Sequence, residues 1–414
     1  MGPLEDVVLK VRQWPSRWQN KDGGFPTDDE GTPSCAWTTA GLLWALAESG
    51  EHLNQQYIQR ALDYLIKNQN YDGGNPTVKQ KDLSVTDSTA LFVCAISHLV
   101  EQYHDTKVIE ALIRAVDWLL KSRGQGEAWR FTGTEDKCYV SSTSFAVLAL
   151  HEAASHLPEQ KKRETSNAIK EVTTWLLGIR NGDGGWGQFK GSTSRPAQTA
   201  MALWALEESG LIGEDQLRQS VAYLVNCQRE DGSWGDSMER PSEHTVNRFG
   251  TPYALIALIR HGTDFDISPM QKGIQSLLRS YEPERGCFHF GDTDIRSWPT
   301  RDCLLALSYV TTRLGWSHIH QLMQQRDQLE QRVKTLEQSE SERLGALIKR
   351  NAPIFTLFKW TTCIMLGIVF ALAIWVSYRL LGMSEILTGV VASVAAAIWS
   401  FAAAGIVSRR LSSK

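Results

Sequence analysis

The sequence predicts an all-α protein: a closed (α/α)6 toroid followed by a helical stalk and two transmembrane helices. Three observations carry that expectation. One kind of Gly-rich loop recurs along the first three quarters of the chain. Each copy stands between an amphipathic helix and an almost wholly apolar one. Two long apolar runs close the C-terminal end.

The loops read QNKDGGF (Gln19–Phe25), QNYDGGN (Gln69–Asn75), RNGDGGW (Arg180–Trp186) and QREDGSW (Gln228–Trp234), with two weaker copies, RGQGEAW (Arg123–Trp129) and EPERGCF (Glu282–Phe288). Asp22 and Asp72 are 50 residues apart and Asp183 and Asp231 are 48 apart, so six units of about 50 residues cover roughly residues 4 to 315. A fixed period of this size marks stacked helical units, none able to bury its own apolar face alone. The helix before the loop, as in Gln59–Gln69 or Arg218–Gln228, has an i, i+3, i+4 apolar stripe and belongs outside. The helix after it (Thr38–Gly50, Ser88–Val100, Ser142–Ala153, Gln198–Gly210, Thr251–Gly262, Arg301–Val310) is apolar nearly all round and belongs inside. An open stack would leave that inner surface wet, so the pairs are expected to close into a ring. Within the loop, Gly-Gly permits positive φ and a tight exit. The aspartate braces the turn by accepting backbone N–H bonds. The aromatic three residues later fills the space between helices, and the glutamine bonds backbone. The repeated aspartates therefore read as mortar between units and not as a catalytic set.

Three domains follow: the toroid over residues 1–315, the stalk over 316–350 and a transmembrane hairpin with a basic tail over 351–414. In the stalk, Leu322, Leu329 and Leu336 recur every seven residues with Val333 between, interrupted by Arg326 and Glu340. A short parallel coiled coil and a single solvated helix both suit that pattern. The apolar runs at 354–378 and 386–407 are each long enough, at ~1.5 Å rise per residue, to cross a ~30 Å hydrocarbon core. Lys349, Arg350, Arg409, Arg410 and Lys414 flank the hairpin, and its turn carries only Arg379. Positive-inside bias then predicts a two-span membrane protein with toroid and C-terminus cytoplasmic and the lipid bilayer as a partner. Small residues in the second span, including Gly389, Ala392, Ser393 and Ala396, allow close helix packing, so a homo-oligomer through stalk and anchor is expected. Net charge is −3 and no basic face is clustered, which argues against nucleic acid as a partner. Seven scattered cysteines without a CxxC pair suit reduced thiols.

Gln228–Trp234 is a full match to the Q-x3-G-x-W motif, and in this the chain resembles terpene (squalene/hopene-type) cyclases. The ring of helix pairs also resembles the β subunit of protein prenyltransferases. The resemblance implies a toroid whose central apolar cavity holds an isoprenoid. It implies, too, where chemistry would lie. Class II cyclases protonate an alkene or epoxide with a D-x-D-D motif. The equivalent stretch here is Val85-Thr86-Asp87-Ser88, so Asp87 matches at the acid position while Val85 and Ser88 replace its supporting aspartates. Asp87 is the candidate catalytic acid, and an N-cap is the competing reading. Asp292 and Asp294 form a second acidic pair that reads as structural or solvated. Prenyltransferases bind zinc through an Asp-x-Cys pair, which Asp136 and Cys138 match, with a His on the next unit. No His occurs from Phe189 to Gln198, and His244 lies two units on. Without a third ligand a zinc site is incomplete, so no cofactor is expected. Ligand-binding residues cannot be named from the sequence.

Two functions are compatible with this pattern. The degraded motifs and the stalk-plus-hairpin layout point to a binding or sensing module that takes an apolar, isoprenoid-like ligand or a peptide in the toroid cavity. The alternative is a membrane-tethered terpene cyclase or prenyltransferase-like enzyme acting on isoprenoid substrates. The lining around Asp87 separates them.

Overall fold

The computed structural model describes residues 3–27, 32–51, 55–77, 83–103, 105–123, 128–132, 134–235, 250–261, 268–290, 294–295, 297–313, 331–343, 372 and 376. The chain divides into two compact units, Met1–Met323 and Gln324–Lys414. In the first unit the helices are α1 (Pro3–Gln13), α2 (Pro15–Trp18), α3 (Ala36–Glu48), α4 (Gln56–Lys67), α5 (Thr86–Tyr103), α6 (Thr106–Ser122), α7 (Val140–Ala153), α8 (Glu159–Gly178), α9 (Pro196–Glu208), α10 (Glu214–Asn226), α11 (Gly250–His261), α12 (Ser268–Leu278) and α13 (Ser297–Arg313). The few strands are loop staples, such as Phe25–Pro26 against Ser34–Cys35.

The ring closes. The inner helices α3, α5, α7, α9, α11 and α13 each touch the next, and α13 returns to α3. Each outer helix leans on the inner helix of the unit before it: α4 on α3, α6 on α5, α8 on α7, α10 on α9 and α12 on α11. The first outer helix, α1, packs on the last inner helix. Patterning explains which is which. The outer α4 buries one stripe, Ile58, Ala61, Leu62, Tyr64 and Leu65. The inner α9 buries every residue from Pro196 to Leu206. These inner faces merge into one apolar core.

The loops join successive units, as their composition suggested. Gln19 donates to the Tyr57 carbonyl of the next outer helix at 2.7 Å, Gln69 to Ala111 at 2.9 Å and Gln228 to Pro269 at 2.7 Å. Asp22, Asp72 and Asp183 each accept from the backbone N–H two residues on and from a serine hydroxyl further along. The glycines after these aspartates and after Asp231 have a second role. Gly23, Gly73, Gly184 and Gly232 adopt φ between +80° and +94°. A Cβ on any of them would fall 2.3–2.6 Å from a carbonyl oxygen of the next outer helix. No other residue lets the loop come so close.

Beyond the ring, residues 331–343 are helical and exposed along their whole length, with Val333 at 52% and Leu336 at 63% exposure. Leu322, Leu329 and Arg326 lie outside the described residues. So do the two apolar runs, apart from Leu372 and Val376, which are helical. Among the described residues no helix is long and apolar enough to cross a membrane.

Candidate functional site

Six threonines set a common register for the inner helices. The backbone N–H at the loop's aromatic position donates to a threonine Oγ1 near the start of the following inner helix. The pairs are Phe25–Thr39, Asn75–Thr89, Trp129–Thr143, Trp186–Thr199, Trp234–Thr251 and Phe288–Thr300, all at 2.8–3.1 Å. The bond recurs in the two weaker units, so those units are built like the others. Equivalent positions counted from these threonines form layers around the ring axis.

The layer two residues before the threonine is the mouth. It holds Trp37, Asp87, Ser141, Ala197 and Trp298, with residue 249 outside the described set. Trp37, Asp87, Ser141 and Trp298 are half-buried, although the two turns of helix that follow each of them are buried. Asp87 is therefore flanked on the ring by tryptophans on one side and a serine on the other.

Asp87 is the second residue of α5, inside the first turn, and does not cap it. Its Oδ1 is buried without a hydrogen-bond partner. Asp105 shows the contrast, capping α6 by accepting from the Lys107 N–H at 2.9 Å. Burial pushes the Asp87 carboxyl up to about 6, with Glu135 adding to the rise while the Ser142 hydroxyl and the Arg301 charge pull the other way. A carboxyl kept partly neutral near pH 7 in a half-buried mouth can donate a proton to an apolar substrate.

Under the mouth lies a buried group that sequence reading missed. Arg301 and Asp302 are each 2% exposed, and Arg301 Nε donates to Asp302 Oδ1 at 2.7 Å. The Arg301 guanidinium carbon stacks 4.0 Å from the Trp37 ring centroid. It reaches across because α3 has Gly41 there: a Cβ at Gly41 would lie 2.4 Å from Arg301 Cδ. The other five units carry Ala40, Ala90, Ser144, Ala200 and Pro252 at the position of Arg301, so only the sixth unit spans the gap. Burial pushes the Tyr253 phenol well up, and the nearby Asp302 carboxylate adds to it. The signal was an Arg-Asp pair inside an otherwise apolar inner helix, where nothing but a buried partner could accommodate it.

Five residues after the threonine, the waist is closed. Trp44 and Trp204, from the opposed first and fourth units, stack across the axis with centroids 5.4 Å apart and planes 10° apart. Tyr309 meets Trp204 edge-on at 5.7 Å. The central space is therefore not a through-channel at this level, since both tryptophans are 1% exposed.

The second candidate set does not assemble among the described residues. Asp136 is exposed, and the half-buried Cys138 Sγ donates to the Ala128 carbonyl at 3.2 Å. No third nitrogen or sulfur ligand converges on them there, and His244 and Asp292 lie outside the described set. Asp294 stands in the short strand Asp294–Ile295.

Two family descriptions match the chain: Squalene-hopene cyclase C-terminal domain over residues 81–246, and Prenyltransferase alpha-alpha toroid domain over residues 195–342. The drimenyl diphosphate synthase of Streptomyces showdoensis is 28% identical over 261 residues, covering 62% of this chain and 46% of that protein. The drimenyl diphosphate synthase of Streptantibioticus cattleyicolor is 30% identical over 221 residues, 52% of this chain and 39% of its own length. A squalene–hopene cyclase of Zymomonas mobilis is 31% identical over 131 residues, 29% of this chain and 18% of its own. The chain thus spans less than half the length of these relatives. Among solved structures, an α-1,6-mannanase from a Salegentibacter species superposes with a TM-score of 0.58 at 9% identity, covering 74% of this chain and 98% of that one, which speaks to the fold alone.

Proposed function

We propose, from the premise that this chain belongs to the toroid superfamily of terpene cyclases and protein prenyltransferases, that its ring acts on an isoprenoid with Asp87 as the proton donor. The observation that carries this reading is the environment of Asp87. It sits at the mouth of the inner barrel, half-buried, with an unpartnered Oδ1 and a carboxyl raised to about 6 by burial. The proton would pass from the carboxyl to an alkene carbon, leaving a carboxylate and a tertiary carbocation. Trp37 and Trp298 belong to the same layer, and an aromatic face turned to the substrate would stabilise such a cation by about 0.5–2 kcal/mol. Asp302 offsets the Arg301 charge below, so the site carries no uncompensated cation of its own. The Trp44–Trp204 stack would bound the depth available to the hydrocarbon.

The membrane assignment belongs to the same proposal. A bilayer anchor through residues 354–378 and 386–407 would hold the ring where prenyl chains partition, with toroid and C-terminus cytoplasmic. The exposed Val333 and Leu336 strip supports self-association through the stalk.

A sensing module is the second reading, favoured by Val85 and Ser88, which stand where supporting carboxylates would. One experiment separates them. Purified full-length protein in detergent is incubated with farnesyl diphosphate, geranylgeranyl diphosphate and squalene, comparing wild type with Asp87→Asn. Cyclised product abolished by the substitution is the expected result. Tight retention of a substrate by both proteins without turnover would give the sensing reading instead.

A further inference from the structure

Nine residues after each threonine, the six inner helices present a third layer, the floor of the ring: Glu48, His98, Glu152, Glu208, Arg260 and Tyr309. It lies about one turn past the waist and about three past the mouth, with His98 eleven residues beyond Asp87 on α5, about 16 Å along the helix. Arg260 forms an ion pair with Glu208 and sits 5.7 Å from the Tyr309 ring centroid. Glu208 is one of three carboxylates in this layer. The other two, Glu48 and Glu152, converge on the imidazole between them. His98 Nε2 is 3.4 Å from Glu48 Oε1 and 3.9 Å from Glu152 Oε2, and the three side chains can bring one ligand atom each within 4.8 Å of one another.

A metal held at about 2.0–2.2 Å by each of three such ligands needs ligand–ligand separations of roughly 2.9–3.6 Å. The first contact already fits, the second is a few tenths of an ångström longer, and the third, between the two flexible carboxylates, lies within 4.8 Å and closes as they turn toward the ion. Charge points the same way. A neutral imidazole and two carboxylates balance one dication, whereas a protonated His98 would leave a net negative charge. The last turns of α3 and α7 lie here too, and their helix dipoles add negative potential. The field reaches inward: the buried Cys94 thiol, one turn earlier on α5, is pushed well up, by burial first and then by Glu152 and Glu48. The three side chains keep 22%, 28% and 25% of their surface accessible, leaving room for water as a further ligand.

We propose that Glu48, His98 and Glu152 form a binding site for a divalent first-row transition-metal cation at the floor of the ring. A set of one imidazole and two carboxylates suits Zn2+, Mn2+ or Fe2+ better than Mg2+ or Ca2+, which favour all-oxygen shells. The site is separate from the Asp136–Cys138 pair, which lies before α7 at the other end of the inner helices.

The test is titration of metal-stripped full-length protein with Co2+, followed by visible absorption, and with Zn2+, followed by calorimetry. One cation per chain is expected to bind. His98→Asn and Glu152→Gln should each weaken it by about tenfold or more. Cys138→Ser and Asp136→Asn should leave it unchanged. Circular dichroism of each variant checks folding, and two independent floor variants keep the test valid should one fail to fold. Absence of binding by wild type overturns the proposal, as does equal binding by both floor variants or loss of binding in Cys138→Ser. A lowered Tm in His98→Asn, with a wild-type Tm that does not respond to metal, would make the cluster an ion pair only and overturn it as well.

Discussion

Asp87 links stability to pH in a definite direction. Its carboxyl titrates at about 6 in the folded ring against an ordinary 3.8, so the folded chain binds the proton more tightly than the unfolded one. Stability is then full below the lower value and falls as pH rises through the window to about 6. Asp87→Asn removes that fall. The variant should be more stable than wild type by about 3 kcal/mol at pH 8 and nearly equal at pH 4, measured by urea unfolding at both. If the ring cyclises an isoprenoid as proposed, the same variant should show no turnover, because an amide has no acidic proton to give. Arg301 behaves differently. Arg301→Leu would strand a buried Asp302 and should cost about 3–5 kcal/mol, while Arg301→Leu with Asp302→Leu should recover most of it. A double-mutant cycle in urea reads both numbers, and additive losses would show that the pair does not act as one unit.

At the scale of the elements, a glycine brings the loop against the next unit's outer helix, and a threonine fixes the loop to its own inner helix. Gly23 and Gly50 both have positive φ, but only Gly23 faces a backbone: its Cβ would lie 2.3 Å from the Arg60 carbonyl oxygen, while nothing stands within 4 Å of Gly50. Gly50→Ala should cost about 1 kcal/mol and Gly23→Ala clearly more, since the α4 backbone must move. Comparing the two midpoints separates strain in φ from close approach. Thr251→Val keeps the volume and removes the acceptor for the Trp234 N–H at 2.9 Å. About 1–3 kcal/mol should be lost, because that N–H is buried.

For the whole ring, the axis is where units far apart in sequence meet. Trp44 and Trp204 are 160 positions apart in the chain and stack in the middle of the waist. Trp204→Ala should cost about 3–5 kcal/mol, read as a lowered Tm, because two ring stacks lose their partner and a cavity remains. If the ring also binds isoprenoid, the same variant should accept a longer prenyl chain than wild type. Closure by α1 on α13 makes the first and last helices neighbours, so unfolding of the ring should be a single transition.

Helix pairs, their number and the purpose of the Gly-Asp loops were legible in the sequence because each arises within one unit of about 50 residues. Local patterning decides which helix is striped and which is apolar all round, and repetition makes the rule visible. Asp87 was legible as a position but not as a group. Its unpartnered oxygen and raised carboxyl depend on burial and on groups of other units, Ser142 and Glu135 of the third and Arg301 of the sixth, and the sixth unit completes the ring only after closure. Arg301 reaches over Gly41 because the sixth unit returns to the first, the stacked waist joins the first and fourth units, and the carboxylate–histidine floor joins three successive ones. Sequence alone determined that inner helices would be buried and in what order. Tertiary structure decided which of their side chains share a layer, because a layer joins residues about 50 positions apart and forms only when the last helix packs against the first.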